Sequence, residues 1–146
     1  MRIRKWENDD NLAVAKLEQI CFAYPWTEQM VKETAQMQNF YGVVAEIDGE
    51  VVGYAGAIIA YDVADIALVA VAPKFRKKGI AQGMLKSLQD ALDKLEVASL
   101  FLEVRKSNES AINLYTKFGF MPVGIRAKYY EDSEDAIVML KVIEVE

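Results

Sequence analysis

The chain has 146 residues, of which 53% are apolar and 27% charged, a composition that suits one folded domain rather than a disordered chain. It contains no histidine and one cysteine, Cys21, which excludes an internal disulfide, a zinc site of paired thiolates, a Ser-His-Asp triad and any imidazole acid or base. The net charge of −5 argues against a general nucleic-acid binder, which would carry a basic stripe.

The opening MRIRKWENDD has no apolar core of a secretory signal, and Arg2 to Trp6 alternates basic and apolar residues as an edge strand does. Asp9 or Asp10 can cap a helix in which Leu12, Ala13, Leu17, Ile20 and Cys21 recur at helical spacing, which reads Cys21 as core. Pro25 biases Tyr24 away from helical geometry, and Thr27 can cap a second helix reaching about Gln38. Strands are predicted over Tyr41 to Ile47 and Glu50 to Ala60, around the hairpin signal Asp48-Gly49. The longest apolar run, Val51 to Tyr61, contains glycines and is too short to span a bilayer, so a cytoplasmic protein without membrane partners is expected. Val63 to Val71 is nearly continuous in apolar residues and reads as a strand buried on both faces.

After Pro73 and a basic stretch comes an amphipathic helix with Ile80, Met84, Leu85, Leu88, Ala91, Leu92 and Leu95 on one face. Ser99 to Val104 is a short strand. Asn108 or Ser107 can cap the next helix, whose apolar face is Ala111, Ile112, Leu114, Tyr115 and Phe118 and which Gly119 stops. Gly124 to Tyr130 and Ala136 to Ile143 read as final strands joined by the acidic turn Glu131 to Asp135. The order βααβββαβαββ implies an α/β fold, a mixed sheet with helices on both faces.

Two stretches carry candidate chemistry. The first runs Val69-Ala70-Val71-Ala72-Pro73-Lys74-Phe75-Arg76-Lys77-Lys78-Gly79-Ile80-Ala81-Gln82-Gly83: a strand, a basic turn and a helix opening at glycine. The unpaired N–H groups and positive dipole end of a helix N-terminus bind anions, and Gly79 lets a phosphate come close to the backbone. Neither GxGxxG nor a Walker loop is present. On spacing alone the stretch is either a pyrophosphate cradle or a solvated basic turn.

The second runs from Phe101-Leu102-Glu103-Val104-Arg105-Lys106-Ser107-Asn108 through Ala111, Leu114 and Tyr115 to Gly119-Phe120. Arg-x-x-Gly-x-Ala after an apolar strand, followed by Leu-Glu-Val-Arg-x-Ser-Asn-x-x-Ala-x-x-Leu-Tyr-x-x-x-Gly-Phe, resembles the GNAT superfamily of N-acetyltransferases. Pro25-Trp26-Thr27, Arg126-x-x-Tyr129-Tyr130 and Glu134-Asp135-Ala136 make it similar to the ribosomal-protein alanine N-acetyltransferases within that superfamily. The sequence departs from that pattern at Arg76, often glutamine, and at Ala81, often glycine.

The resemblance covers nearly the whole chain. It implies a single domain with a mostly antiparallel sheet, a splayed parallel strand pair, and acetyl-CoA as cosubstrate without a metal. It further implies that Val69, Ala70 and Val71 pair with the pantetheine arm. Lys77, Lys78, Gly79, Ile80, Ala81 and Gln82 would hold the pyrophosphate, and Asn108 would contact the pantetheine. Glu103 would be the general base, Tyr115 the general acid, and Trp26, Tyr129 and Tyr130 would position the acceptor. The expected partner is a protein N-terminus, that of a small-subunit ribosomal protein first; polyamines, aminoglycosides or amino acids are the alternative acceptors, and a non-catalytic CoA-binding regulator the other reading.

Elementary chemistry fits these roles. Deprotonating an α-amine of pKa about 8 at pH 7 costs roughly 1.4 kcal/mol, against about 4.6 for a lysine amine, so a carboxylate suffices as base for the former. A tyrosine near pKa 10 stays protonated at neutral pH and can return a proton to a leaving thiolate, which resembles cysteine near 8.5. Read without the resemblance, Glu103 is a solvated strand-end carboxylate, Tyr115 core and Asn108 a cap, while Trp26, Tyr129 and Tyr130 are equally half-buried packing. Because Cys21 lies far from both stretches in sequence, direct attack is expected rather than a covalent enzyme intermediate.

Overall fold

The structure, a computed structural model, describes residues 1–143. The elements are β1 (Arg2–Lys5), α1 (Asn11–Cys21), α2 (Glu28–Ala35), β2 (Phe40–Ile47), β3 (Glu50–Ala60), β4 (Val63–Val71), α3 (Ile80–Lys94), β5 (Ser99–Arg105), α4 (Glu109–Phe118), β6 (Met121–Arg126) and β7 (Ala136–Val142). Their order is the predicted βααβββαβαββ. Seven strands form one sheet in the order β1-β2-β3-β4-β5-β7-β6, antiparallel throughout except between β4 and β5. No helix among the described residues is long and apolar enough to cross a membrane.

Local signals explain most boundaries. The Thr27 hydroxyl accepts the Met30 N–H at 3.1 Å and starts α2, which ends at Ala35, short of the expected Gln38. Asp10 precedes α1 but does not cap it with its side chain. Its carboxylate instead accepts from the Arg4 guanidinium at 2.8 and 2.9 Å and from the Glu7 N–H at 2.7 Å, tying β1 to the helix. Asp48 and Gly49, both at positive φ, turn the β2–β3 hairpin, and Gly119 at φ 109 ends α4.

Each face of the sheet has its own core. On one, Ile80, Met84, Leu85, Leu88 and Leu92 of α3 pack with Val43, Ala45, Val52, Ala55, Ala57, Leu100 and Leu102; Tyr115 of α4 joins them. Truncating a side chain as buried as Leu88 costs about 2–5 kcal/mol in such a setting. Leu95, expected on this face, lies one residue past α3 and is exposed. On the other face, Val14 and Leu17 of α1 and Val31 of α2 pack with Trp6, Val44, Tyr54, Leu68 and Ala70.

Two strand expectations are corrected. Strand β4 gives buried residues to both cores, Ala64, Ile66 and Val71 to one and Leu68 and Ala70 to the other, but it is not buried continuously, since Asp65, Ala67 and Val69 are only partly covered. Strand β6 lies earlier than Gly124 to Tyr130, because Lys128 adopts φ 51 and its N–H turns to the Asp135 carboxylate at 3.0 Å, taking Tyr129 and Tyr130 out of the sheet.

Candidate active site

The site is built where the parallel pair fails to stay paired. Only Val63–Asp65 of β4 align with Ser99–Phe101 of β5. On the β3 side the register slips between Gly56, opposite Leu68, and Ala57, opposite Ile66, so Ala67 is the extra residue of a bulge. A bulge bends its strand and shifts the side-chain alternation by one. Ile66 therefore faces α3, whereas Leu68 and Ala70 face α1 and α2. Beyond Asp65 the edge of β4 facing β5 has no strand partner, and this edge carries Val69, Ala70 and Val71. The Ala72 N–H donates to Val52 O at 2.8 Å toward β3, so by alternation the Val71 peptide groups face the gap. The Val71 carbonyl already accepts from Arg76 Nε at 3.0 Å and from the Cys21 thiol at 3.7 Å.

The basic stretch closes one end of this gap. A 3-10 turn over Pro73–Phe75 leads through Lys77, at φ 62, to Gly79, at φ 79, which begins α3. The Gly83 N–H reaches Gly79 O at 3.0 Å, so Ile80, Ala81 and Gln82 present amides that have no intrahelical acceptor. No side chain caps them, and a Cβ built on Gly79 meets no heavy atom within 4 Å. Orphan donors, an open approach over glycine and the positive end of a 15-residue helix fit a diphosphate. The Lys78 Nζ lies 5.9 Å from the Phe75 ring centroid. Asn108 caps α4, its Oδ1 accepting the Ala111 N–H at 3.1 Å, which leaves its amide NH2 for another partner.

Glu103 and Tyr115 lie on opposite faces of the sheet. Strand alternation puts Leu100, Leu102 and Val104 on the α3–α4 face, so Glu103 points to the face carrying α1 and α2. Its carboxylate is 3.5 Å from Arg126 Nε, and burial first, then the Glu103 charge, push the nearby Tyr129 hydroxyl up. Tyr115 is on the other face, edge-on to Phe120 with centroids 5.8 Å apart, and burial, then the nearby Tyr130, push its hydroxyl up to about 12.

Tyr129 and Tyr130 stand together over Glu103's side of the sheet, with centroids 5.1 Å apart at 81°. Arg126 lies 5.5 Å from the Tyr129 ring centroid, and Arg105 holds Tyr130 and the turn beyond it. Its guanidinium binds Asp132 at 2.8 Å and Glu134 at 3.0 Å and lies 4.1 Å from the Tyr130 ring centroid, while Glu134 also accepts the Ser107 N–H at 2.9 Å. The Arg105 guanidinium thus ties down Asp132 and Glu134 and offsets one of the four negative charges of the acidic turn. Trp26 is on the same sheet face: it packs against the α1–α2 core, and its backbone N–H donates to the buried Glu18 carboxylate at 2.9 Å.

A family model described as acetyltransferase (GNAT) family matches residues 11–120. The chain belongs to the GNAT acetyltransferase family. It is 34% identical over 140 residues to the ribosomal protein bS18-alanine N-acetyltransferase of Escherichia coli, covering 94% of each chain. The crystal structure of the E. coli enzyme superposes with a TM-score of 0.92 over 99% of this chain and 95% of that one. The Ard1 crystal structure from Thermoplasma volcanium gives a TM-score of 0.92 at 26% identity, over 99% and 98% of the two chains. This acetyltransferase therefore has the GNAT fold, with its one parallel pair splayed, and is an acetyl-CoA-dependent N-acetyltransferase.

Sequence reasoning passed over three residues of this acetyltransferase. Cys21 is distant in sequence but half-buried beside Val71 and Arg76. Arg105 was seen only as part of a motif, because its partners lie 27 and 29 residues ahead. Asp65 sits at the mouth of the splay on Glu103's face, and its Oδ1 is fully buried without a hydrogen-bond partner. The signal for Asp65 was present, as a lone carboxylate inside the apolar run Val63 to Val71.

Proposed function

We propose that this acetyltransferase, acting as one domain, moves the acetyl group of acetyl-CoA to the N-terminal α-amine of a protein, with an alanine terminus of a ribosomal protein as the foremost acceptor. The observation that supports this reading is the Glu103 carboxylate beside the unpaired stretch of β4 and β5, with Tyr129 and Tyr130 on its side of the sheet and the Tyr115 side chain on the other. The relationship to a relative named for acetylating bS18 alanine supports the choice of acceptor.

Acetyl-CoA supplies an acetyl group activated as a thioester. The amides of Lys77 to Gln82 hold its diphosphate, and the free edge of Val69, Ala70 and Val71 hydrogen-bonds the pantetheine, with Asn108 adding its amide. The Val71 N–H donates to the acetyl oxygen as negative charge develops there, the work of an oxyanion hole. Trp26, Tyr129 and Tyr130 position the acceptor terminus. Glu103 takes a proton from the acceptor's ammonium, directly or through one water, and the freed amine attacks. Tyr115, as general acid, gives a proton to the departing sulfur and recovers one from solvent; its raised pKa keeps the hydroxyl protonated throughout the neutral range until then.

Attack is direct. Nucleophilic sulfur must be thiolate, whereas burial raises the Cys21 thiol and its hydrogen is engaged by Val71 O.

The test is an acceptor panel with purified protein: an Ala-initiated peptide, the same peptide with its terminus blocked and an internal lysine free, a polyamine, an aminoglycoside and free alanine. Transfer is expected to the free-terminus peptide alone. A higher kcat/KM for any small amine would overturn the reading. Equal transfer by wild type and a Glu103→Gln, Tyr115→Phe double variant that still binds CoA would favour a regulator.

A further inference from the structure

Acetyl transfer sheds more protons than one carboxylate can hold. An ammonium nitrogen has three hydrogens and the product amide one. The first proton leaves before the C–N bond forms and the second as the C–S bond breaks. The electron pair of that bond departs on sulfur, which takes up one proton to give the thiol, and the other reaches solvent. A site that keeps water away from the thioester needs somewhere for these protons to rest.

Asp65 occupies the right place. It is the last β4 residue paired with β5, opposite Phe101, and Glu103 lies two residues further along on the same face. Across β3 its neighbour is the apolar Ile58. The ionisable groups facing it are Glu103 of β5, Arg126 of β6 and Tyr129 of the turn that follows. Its Oδ1 is sealed from solvent and receives no hydrogen bond. A carboxylate oxygen in that condition is costly while charged and favourable once protonated. Glu103, by contrast, has Arg126 at 3.5 Å to support its charge.

We propose that Asp65 acts through Glu103 as the second proton acceptor of the transfer, receiving the proton that Glu103 draws from the acceptor ammonium and freeing Glu103 for the next. The proposal rests on the role given to Glu103 above. Burial first, and then the Glu103 charge, push the Asp65 carboxyl up to about 6, with Arg126 opposing. That lies closer to an α-amine near 8 than an ordinary carboxylate near 4 does.

The experiment compares wild type, Asp65→Asn and Glu103→Gln with acetyl-CoA and an Ala-initiated peptide across pH 5 to 9. Asp65→Asn should lower kcat by about tenfold or more, leave peptide KM and CoA binding within about twofold, and erase the rise of rate with pH near 6. A full-rate Asp65→Asn enzyme, or one keeping that inflection, overturns the relay while a dead Glu103→Gln leaves the base intact. Equal rates in wild type and Glu103→Gln would instead remove the base, and the relay with it. Carboxyl-carbon NMR gives a readout without turnover or substitution of Asp65. In wild type Asp65 should titrate near 6 and move to lower pH in Glu103→Gln, whereas titration near 4 in wild type overturns the proposal even if the Asn variant fails to fold.

Discussion

Gly79 and Gly49 form a matched pair for testing the diphosphate cradle. Their φ angles are 79 and 80, and a Cβ at either position meets no heavy atom within 4 Å. Replacing either by alanine forces an L side chain into left-handed backbone at about 1–2 kcal/mol, which lowers Tm by roughly 2–8 °C in a chain of this size. Up to this point the two variants should be indistinguishable. They part when coenzyme A is added, because only the Gly79 methyl stands in front of the amides of Ile80, Ala81 and Gln82. Losing one charge-assisted hydrogen bond removes about 1.5–3 kcal/mol, a weakening of roughly 10- to 150-fold in Kd. Titration calorimetry with CoA, beside thermal melts of both variants, reads both effects. If Gly79→Ala bound CoA as wild type does, or if Gly49→Ala lost affinity equally, the bend would not be the cradle.

Arg105→Gln should release the turn that carries Asp132 and Glu134, raising KM for peptide several-fold while CoA affinity stays unchanged; a change confined to CoA binding would contradict the clamp. Cys21→Ala should keep kcat within about twofold, since the thiol donates a hydrogen bond but attacks nothing, and loss of all transfer would revive a covalent route. Burial disfavours the charge on Asp10, but the Arg4 and Glu7 hydrogen bonds and the Arg4 charge together hold its carboxyl below the ordinary value. Its stabilisation is thus complete above an unfolded pKa near 4 and disappears as pH falls through the lower folded value. Chemical denaturation from pH 2 to 6 should show a shallower loss on that limb in Asp10→Asn, and parallel curves would refute the linkage.

Local chemistry was legible and long-range pairing was not. The hairpin at Asp48-Gly49, the Thr27 and Asn108 caps and the helix stop at Gly119 all depend on residues within four positions of each other, and each stands where the sequence put it. The apolar face of α3 was equally plain until Leu95, where the helix ends. The bulge at Ala67 left no mark, because an unbroken apolar run looks the same whether its alternation shifts or not. Strand β6 was placed late because Val123 to Tyr130 keeps strand-forming residues, while the turn is imposed by Asp135 from beyond. At the site, the bend and the Glu103–Asn108 motif could be read in one dimension. The Cys21 contact, 50 residues from its partner, and the Arg105 clamp appear only once the sheet has formed.

The account stands on where coenzyme A binds, and a crystal structure of the complex measures that most directly. It should show the diphosphate on the amides between Lys77 and Gln82, with the pantetheine along the free edge of β4 and its sulfur between Glu103 and Tyr115. A complex with that bend empty, or with the sulfur away from the β4–β5 gap, would contradict it.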